Sequence, residues 1–243
     1  MTRLGLSHTD WAMILDASQE NSTRADQALD VLVRRYWPAV YAFIRASGHD
    51  VHESSDLTQS FVCDIVLSRK LIRNADPQRG RFRALLVAAL KNYLRQVTRS
   101  ATRQKRAPRR PFRIEPAMTE TLADDSTSQS PDAAFATQWS ATLIHHVLEE
   151  VRRECLAAGL EAHWTIFEAR VVRPMLFGEP RTPYAMLAER LDLKHASQAA
   201  NMLVTAKRRF AQGLLTEVGR TISDPSQVED EVRQLLRDLE RST

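Results

Sequence analysis

A single apolar stripe along residues 80–99 constrains the fold of this chain more than any other feature. Its members recur at steps of three and four: Phe82, Leu85, Leu86, Ala89, Leu90, Tyr93, Leu94 and Val97. This is the period of an α-helix that is buried along one side. The other side holds Lys91, Asn92, Arg95 and Arg99. The pattern therefore predicts a helix that packs on a core and shows a basic face to solvent.

The rest of the chain also favours helices. Long stretches are rich in Ala, Leu, Arg, Gln and Glu, which lose little side-chain freedom in a helix. Only 7 of 243 residues are glycine, and alternating strand-like runs are hard to find. We expect an all-α fold with helices near 11–17, 24–46, 51–70, 80–99, 136–158 and 161–172, followed by a helical pair over 182–213.

The middle of the chain breaks this pattern. Residues 99–131 contain four prolines and many Ser and Thr, which are typical of a flexible linker. Eight Arg or Lys and no acid lie between Arg95 and Arg113, whereas four acids and no base lie between Thr119 and Asp132. We predict two helical domains joined by a linker that is first basic and then acidic. The predicted bounds are domain 1–100, linker 101–134, domain 135–220 and a C-terminal helical tail 221–243.

Several classes of protein are disfavoured. Cys63 and Cys155 form no CxxC spacing, which argues against a disulfide framework and a zinc site. His145 and Glu149 share a helix face but lack a third ligand, and no P-loop, GxGxxG or nucleophile elbow occurs. We expect no enzyme activity, cofactor or metal. Neither a signal peptide nor an apolar run of about 20 residues is present, so we expect a cytoplasmic protein with no membrane partner.

The segment 182–213 is typical of a helix-turn-helix, although ordinary helix packing is an open alternative. Thr182 and Pro183 suit the start of a short helix, and Ser197 suits the cap of a longer one. The second helix of such a unit enters the major groove and reads base edges. The side chains placed for reading are Ser197, Gln198, Asn201 and Thr205, with Lys207, Arg208 and Arg209 near phosphates.

Four segments, taken together and in order, resemble the sigma-70 family of transcription initiation factors. They are Tyr36-Trp37-Pro38-Ala39-Val40-Tyr41-Ala42-Phe43-Ile44-Arg45, Asp56-Leu57-Thr58-Gln59-Ser60-Phe61, the run from Asp76 to Leu94, and Tyr184-Ala185-Met186-Leu187-Ala188-Glu189-Arg190-Leu191. The variant style, with Trp11 near the start, is similar to the extracytoplasmic-function (ECF) type found in Planctomycetes. The resemblance covers about 150 residues, and no single motif carries it.

This resemblance implies two partners, core RNA polymerase and promoter DNA, and leaves room for an inhibitory regulator as a third. The polymerase clamp helices would meet Asp56, Gln59 and Phe61, while the second domain would dock on the polymerase flap. The −10 element would be melted and held by Asn74, Arg79, Arg83, Lys91, Asn92, Arg95 and Arg99. The −35 element would be read by the helix 197–213. A loop beside a basic face suits unstacked bases and a single-stranded backbone.

The chain departs from the family pattern in several places. Ala199 and Ala200 stand where the family commonly has an early Arg or Lys, which leaves the −35 specificity open. The turn before that helix is one residue longer than in the family pattern. The linker is longer than in the smallest members. A tail at 225–241 has amphipathic spacing, and we expect it to pack on the second domain and restrain DNA binding. The main alternative function is a dimeric helix-turn-helix regulator that acts without polymerase.

Overall fold

In the computed structural model, regular structure within the described residues is entirely helical, which confirms the all-α prediction. The structure describes residues 11–18, 23–68, 70–73, 75–76, 81–103 and 129–221, together with 230 and 232–233. The helices are α1 (Trp11–Ser18), α2 (Thr23–Ala46), α3 (Val51–Phe61), α4 (Lys70–Arg73), α5 (Phe82–Arg103), α6 (Pro131–Ala157), α7 (Glu161–Phe167), α8 (Arg173–Phe177), α9 (Tyr184–Arg190) and α10 (Ala196–Thr221).

Two π-helical segments continue preceding helices. One spans Val62–Leu67 after α3, and the other spans Glu168–Val172 after α7. The wider i→i+5 hydrogen bonding of such turns shifts the phase of the side chains that follow. The helix predicted over 51–70 is therefore two pieces in the structure, and the one predicted over 161–172 changes character after Phe167.

Contacts divide the described residues into two compact units, and the division falls inside α6. The first unit includes 11–142 and the second includes 143–218, so the first three turns of α6 pack with the first unit. The predicted linker, 101–134, lies mostly outside the described residues, which end at Arg103 and resume at Gln129. The two-domain division at that linker stays a prediction.

The first unit is built around α2 and α5. The buried side of α2 carries Leu29, Leu32, Tyr36, Val40, Phe43 and Ile44. Phe82, Leu86 and Leu90 form the buried centre of the α5 stripe, and Tyr36 meets Phe82 edge-to-face with ring centroids 5.5 Å apart. Such a pair adds about 0.5–1.5 kcal/mol beyond area burial. The predicted apolar side of this helix is therefore confirmed at its centre.

A capping interaction fixes the turn between α2 and α3. Gly48 has a φ of 95°, a left-handed conformation that glycine adopts without strain. Asp50 then caps α3, because its Oδ1 accepts a hydrogen bond from the Glu53 backbone N–H at 2.8 Å. That hydrogen bond holds the pKa of Asp50 below its usual value. Stopping α2 here places its C-terminal end beside the exposed side of α5.

The second unit packs the rest of α6 against α7 and α10. Its core includes Leu143, Val147, Val151, Ile166, Phe167, Leu187, Leu203 and Leu214. A Cβ on Gly213 would lie 3.0 Å from Val147 Cγ1, so α10 approaches α6 too closely for a larger residue without adjustment.

Of the tail, Asp230, Val232 and Arg233 are described and helical, and Arg233 hydrogen-bonds Asp230. In the described ranges, no helix has both the length and the apolarity needed to cross a bilayer.

Candidate nucleic-acid interface

The exposed side of α5 forms the first candidate surface. Asn92, Arg95 and Arg99 are exposed, while Arg83 and Lys91 are half-buried. We call Lys91, Arg95 and Arg99 the basic row, since they recur every four residues and so lie on one side of the helix. Arg95 Nη1 also donates to Asn92 Oδ1 at 3.4 Å. The predicted basic face of this helix is thus present in the structure.

A cavity of about 570 Å³ lies beside the basic row. All three members of the row line it, together with Phe43, Ser47 and His49 from the end of α2. Leu94 and Thr98 of α5, and Pro131 and Asp132 at the start of α6, also line it. Phe43 is buried, so the cavity combines positive charge with the apolar side chain of Leu94. Those are the two features that single-stranded nucleic acid needs, one for its backbone and one for its bases.

The first turns of α6 interact with two of the predicted DNA-binding residues. Lys91 Nζ lies 2.7 Å from Asp132 Oδ1. The Arg83 guanidinium stacks over the Trp139 ring, 4.5 Å from its centroid. Neither pairing had a local signal in the sequence, because the partners are 41 and 56 positions apart. Arg83 therefore packs within its own unit, whereas Arg95 and Arg99 present more of their side chains to solvent.

Two of the predicted −10 residues, Asn74 and Arg79, lie outside the described residues. The neighbouring Ala75 and Asp76 are half-buried and non-helical, as a turn there requires.

The structure separates the three residues predicted to contact polymerase. Asp56 is exposed and Gln59 is half-buried, but Phe61 is fully buried and meets Tyr93 edge-to-face at 5.4 Å. Helical phase explains the difference, since Phe61 shares the inner side of α3 with Ser54 and Thr58. Phe61 thus joins α3 to α5, and its predicted contact with polymerase stays a prediction. Asp56 remains available on the surface.

The second candidate surface lies on α10, which follows α9 after a short turn. The turn has a complete Schellman geometry, in which the Leu193 N–H bonds the Ala188 carbonyl at 2.8 Å and the Asp192 N–H bonds that of Glu189 at 3.3 Å. Asp192 adopts a φ of 52° there, a conformation that Asp tolerates better than most side chains. The turn thus fixes the direction in which α10 leaves α9.

The start of each helix differs by about one residue from the sequence-based expectation. Pro183, not Thr182, precedes α9 as its cap, and the Thr182 carbonyl accepts a hydrogen bond from Arg170. α10 begins at Ala196, so Ser197 lies within its first turn. The Gln198 side chain reaches back and accepts from the Lys194 N–H at 3.2 Å, which ties the first turn of α10 to the residues before it.

Most of the predicted −35 residues lie together on the solvent side of α10. The exposed members are Ser197, Gln198, Asn201, Thr205, Lys207 and Arg208. The opposite side buries Ala199, Leu203, Ala206 and Leu214. Lys207 lies one turn after Leu203, at the margin between the two sides. An exposed helix of 26 residues has the diameter that a major groove admits.

Arg209 differs from its neighbours Lys207 and Arg208. It is half-buried. Burial lowers the pKa of His163 on α7 and raises the pKa of Cys155 on α6, and the Arg209 charge is a smaller, lowering influence on both. Lys207 and Arg208 are exposed, which makes them the nearer candidates for phosphate contacts.

Within the described ranges, no group of three or more His, Cys, Asp or Glu residues is placed to hold a metal ion. Comparison of the chain with protein-family models, with curated proteins and with solved structures gave no match. The functional argument therefore rests on these two surfaces and on the sequence.

Proposed function

We propose that this protein is a transcription initiation factor of the sigma type, which directs core RNA polymerase to promoters and is not itself an enzyme. One observation carries the proposal. Each compact unit bears its own surface suited to nucleic acid, and the two surfaces suit different forms of it. The cavity beside the basic row fits an unpaired strand, whereas the solvent side of α10 fits a duplex groove.

On this proposal, the second unit locates the promoter and the first opens it. Asn201 offers its amide group to base edges of the −35 element, and Gln198 offers the NH₂ of an amide whose oxygen accepts from the Lys194 N–H. Lys207 and Arg208 neutralise the phosphates beside them. The side chain of Leu94 and the methyl group of Thr98 lie beside the basic row, where an unstacked −10 base can rest against them. Lys91, Arg95 and Arg99 then hold the backbone of the separated strand.

Asp56 supplies the proposed contact with polymerase. It is an exposed acid on α3 and the first residue of the segment that resembles the family's polymerase-binding motif. An exposed carboxylate can pair with a basic residue on the clamp helices and steer the encounter. Phe61 supports this contact indirectly, because its burial against Tyr93 fixes α3 on α5.

Run-off transcription with reconstituted polymerase tests the proposal. Asp56→Arg should abolish binding to core polymerase and therefore transcription. Lys91→Glu combined with Arg95→Glu should retain polymerase binding but lose promoter opening, measured by permanganate reactivity of unpaired thymines. Asp30→Arg is the matched control, since Asp30 is an exposed helical acid of the same unit whose ion pair with Arg34 is also exposed. Full transcription by the Asp56 variant would contradict the proposal.

The dimeric regulator is the second candidate, because the α9–α10 pair alone would suffice for it. That protein would bind a palindromic duplex as a homodimer and would need no polymerase. A regulator of this kind would not need the basic row on α5. The Lys91→Glu and Arg95→Glu variant separates the two functions: a regulator reading only duplex DNA through α10 would keep its promoter affinity and activity.

A further inference from the structure

A second cavity, in the second unit, lies beside α10 but away from the centre of its solvent side. Its volume is about 390 Å³, within the range of about 300–1,000 Å³ that small-molecule sites occupy. Three cationic side chains line it: Arg170 from the π-helical segment, Arg181 from the loop before α9, and Lys207 from α10. No Asp or Glu is among the described residues that line it.

Arg170 is held in place more firmly than a surface arginine. Its guanidinium stacks on the Tyr184 ring, 3.7 Å from the centroid, and its Nη1 donates to the Thr182 carbonyl. Its Nε is buried and has no hydrogen-bond partner within the described residues. A preorganised guanidinium of this kind is well suited to phosphate.

The different exposure of the three cations indicates whether a free phosphorylated molecule or the DNA backbone fits the cavity. Arg181 and Lys207 are exposed, but Arg170 is half-buried, so an occupant must enter the cavity to reach all three. The backbone of a duplex is convex and can touch the outer pair without entering. Met175 and Leu203 add apolar walls beside the charged groups. A small molecule with a phosphate at one end and an apolar or ring portion at the other matches this lining.

We propose that this cavity binds the phosphate group of a small phosphorylated molecule such as a nucleoside diphosphate. The site goes beyond transcription initiation and does not depend on it, since none of its evidence comes from α3 or α5. Because Lys207 belongs to both surfaces, a bound phosphate would withdraw one cation from the DNA-binding side of α10. The ligand would thereby lower duplex affinity while leaving the base-reading amides in place.

Isothermal titration calorimetry of the full chain, with ADP and with inorganic phosphate at low salt, tests the site. We expect one ADP per chain, and about tenfold weaker binding for Arg181→Gln and for Lys207→Gln, the usual effect of losing one charge-assisted contact. Arg190→Gln is the matched control, because Arg190 is an exposed cation of the same unit that does not line the cavity. Its ADP affinity should stay within about twofold.

The two sources of phosphate are separated by a second titration with a short duplex. If Arg181→Gln weakens ADP binding but leaves duplex affinity unchanged, the result supports a site for a free phosphorylated molecule. Absence of ADP and phosphate binding, with duplex affinity lowered by Arg181→Gln, would assign these cations to the DNA backbone and overturn the proposal. Equal loss of ADP binding in the Arg190 control would overturn it as well, because the effect would then be one of overall charge.

Discussion

Lys91 Nζ and Asp132 Oδ1 form an ion pair at 2.7 Å that joins the basic row of α5 to the first turn of α6. The two side chains are 41% and 56% exposed, so the pair contributes little to stability, about 0–1 kcal/mol. Its effect on binding is larger in principle, because the Asp132 carboxylate offsets the positive charge that Lys91 offers to a phosphate. Asp132 therefore competes with nucleic acid for one member of the basic row.

Asp132→Asn should strengthen binding of single-stranded DNA about two- to threefold and should steepen the salt dependence by about 0.7 in log–log slope, since one more cation becomes available to phosphate. Fluorescence anisotropy at several salt concentrations measures both quantities. Asp30→Asn removes the same charge from an exposed pair on α2 and is the control. If Asp30→Asn strengthens DNA binding equally, the effect of Asp132→Asn comes from net charge alone.

Substitutions on α10 should divide into two kinds. Asn201→Ala should cost about 1–3 kcal/mol of binding free energy for the preferred duplex and relax its sequence preference, because an amide that reads a base edge is lost. Arg208→Gln should weaken all duplexes alike and reduce the salt slope by about 1. Competition with duplexes of random sequence distinguishes the two. If Asn201→Ala weakens all duplexes equally, this residue does not read bases.

Two helix ends give opposite predictions for stability. α6 and α9 both end in Schellman geometry, with Gly159 at φ 67° in the first case and Asp192 at φ 52° in the second. Gly159→Ala should destabilise by about 1 kcal/mol, whereas Asp192→Gly should stabilise by up to about 1 kcal/mol, since only glycine is unstrained there. Nothing lies within 4 Å of a Cβ at Gly159, so the loss of stability in Gly159→Ala measures backbone strain and not a steric clash. Urea denaturation gives both values, and loss of stability in the Asp192 variant would contradict this account of the turn.

His163 should make stability depend on mildly acidic pH. Burial, followed by the charge of Arg209, lowers the pKa of its imidazole below the usual 6.5. The unfolded chain then binds a proton more readily than the folded one, so stability falls as the pH drops below about 6.5 and is fully present above it. The Nδ1 atom is buried without a hydrogen-bond partner in the described part of the chain, which accords with a neutral ring. His163→Gln should remove this part of the pH dependence in denaturation curves taken between pH 5 and 7.5.

The two thiols should react very differently in the folded protein. Cys63 is exposed, while Cys155 is fully buried and burial raises its pKa. Because the thiolate is the reactive form, iodoacetamide should label Cys63 first and Cys155 only after denaturation. Mass spectrometry of a short labelling time course reports this. Comparable rates at the two positions would contradict the packing of α6 described above.

Local patterns in the sequence predicted the helices and the sides on which they pack. The apolar period of α5 identified Leu86 and Leu90 as core residues, and the spacing along α10 separated its inner side from its exposed polar side. Periodicity carries this information because it depends only on neighbours three and four positions away.

Features that depend on distant partners could not be predicted in this way. The stacking of Arg83 on Trp139 joins residues from separate helices, and no local pattern marks it. The π-helical segments were also missed, since the residues of Val62–Leu67 are ordinary for an α-helix. The burial of Phe61 follows from helical phase and could have been found by aligning it with Ser54 and Thr58.

Co-elution of the purified full chain with bacterial core RNA polymerase in size-exclusion chromatography tests the central claim most directly. The account predicts a stable one-to-one complex that gains promoter binding and is lost with Asp56→Arg but not with Asp30→Arg. A chain that ignores polymerase, elutes as a homodimer and footprints a palindromic duplex by itself would contradict it.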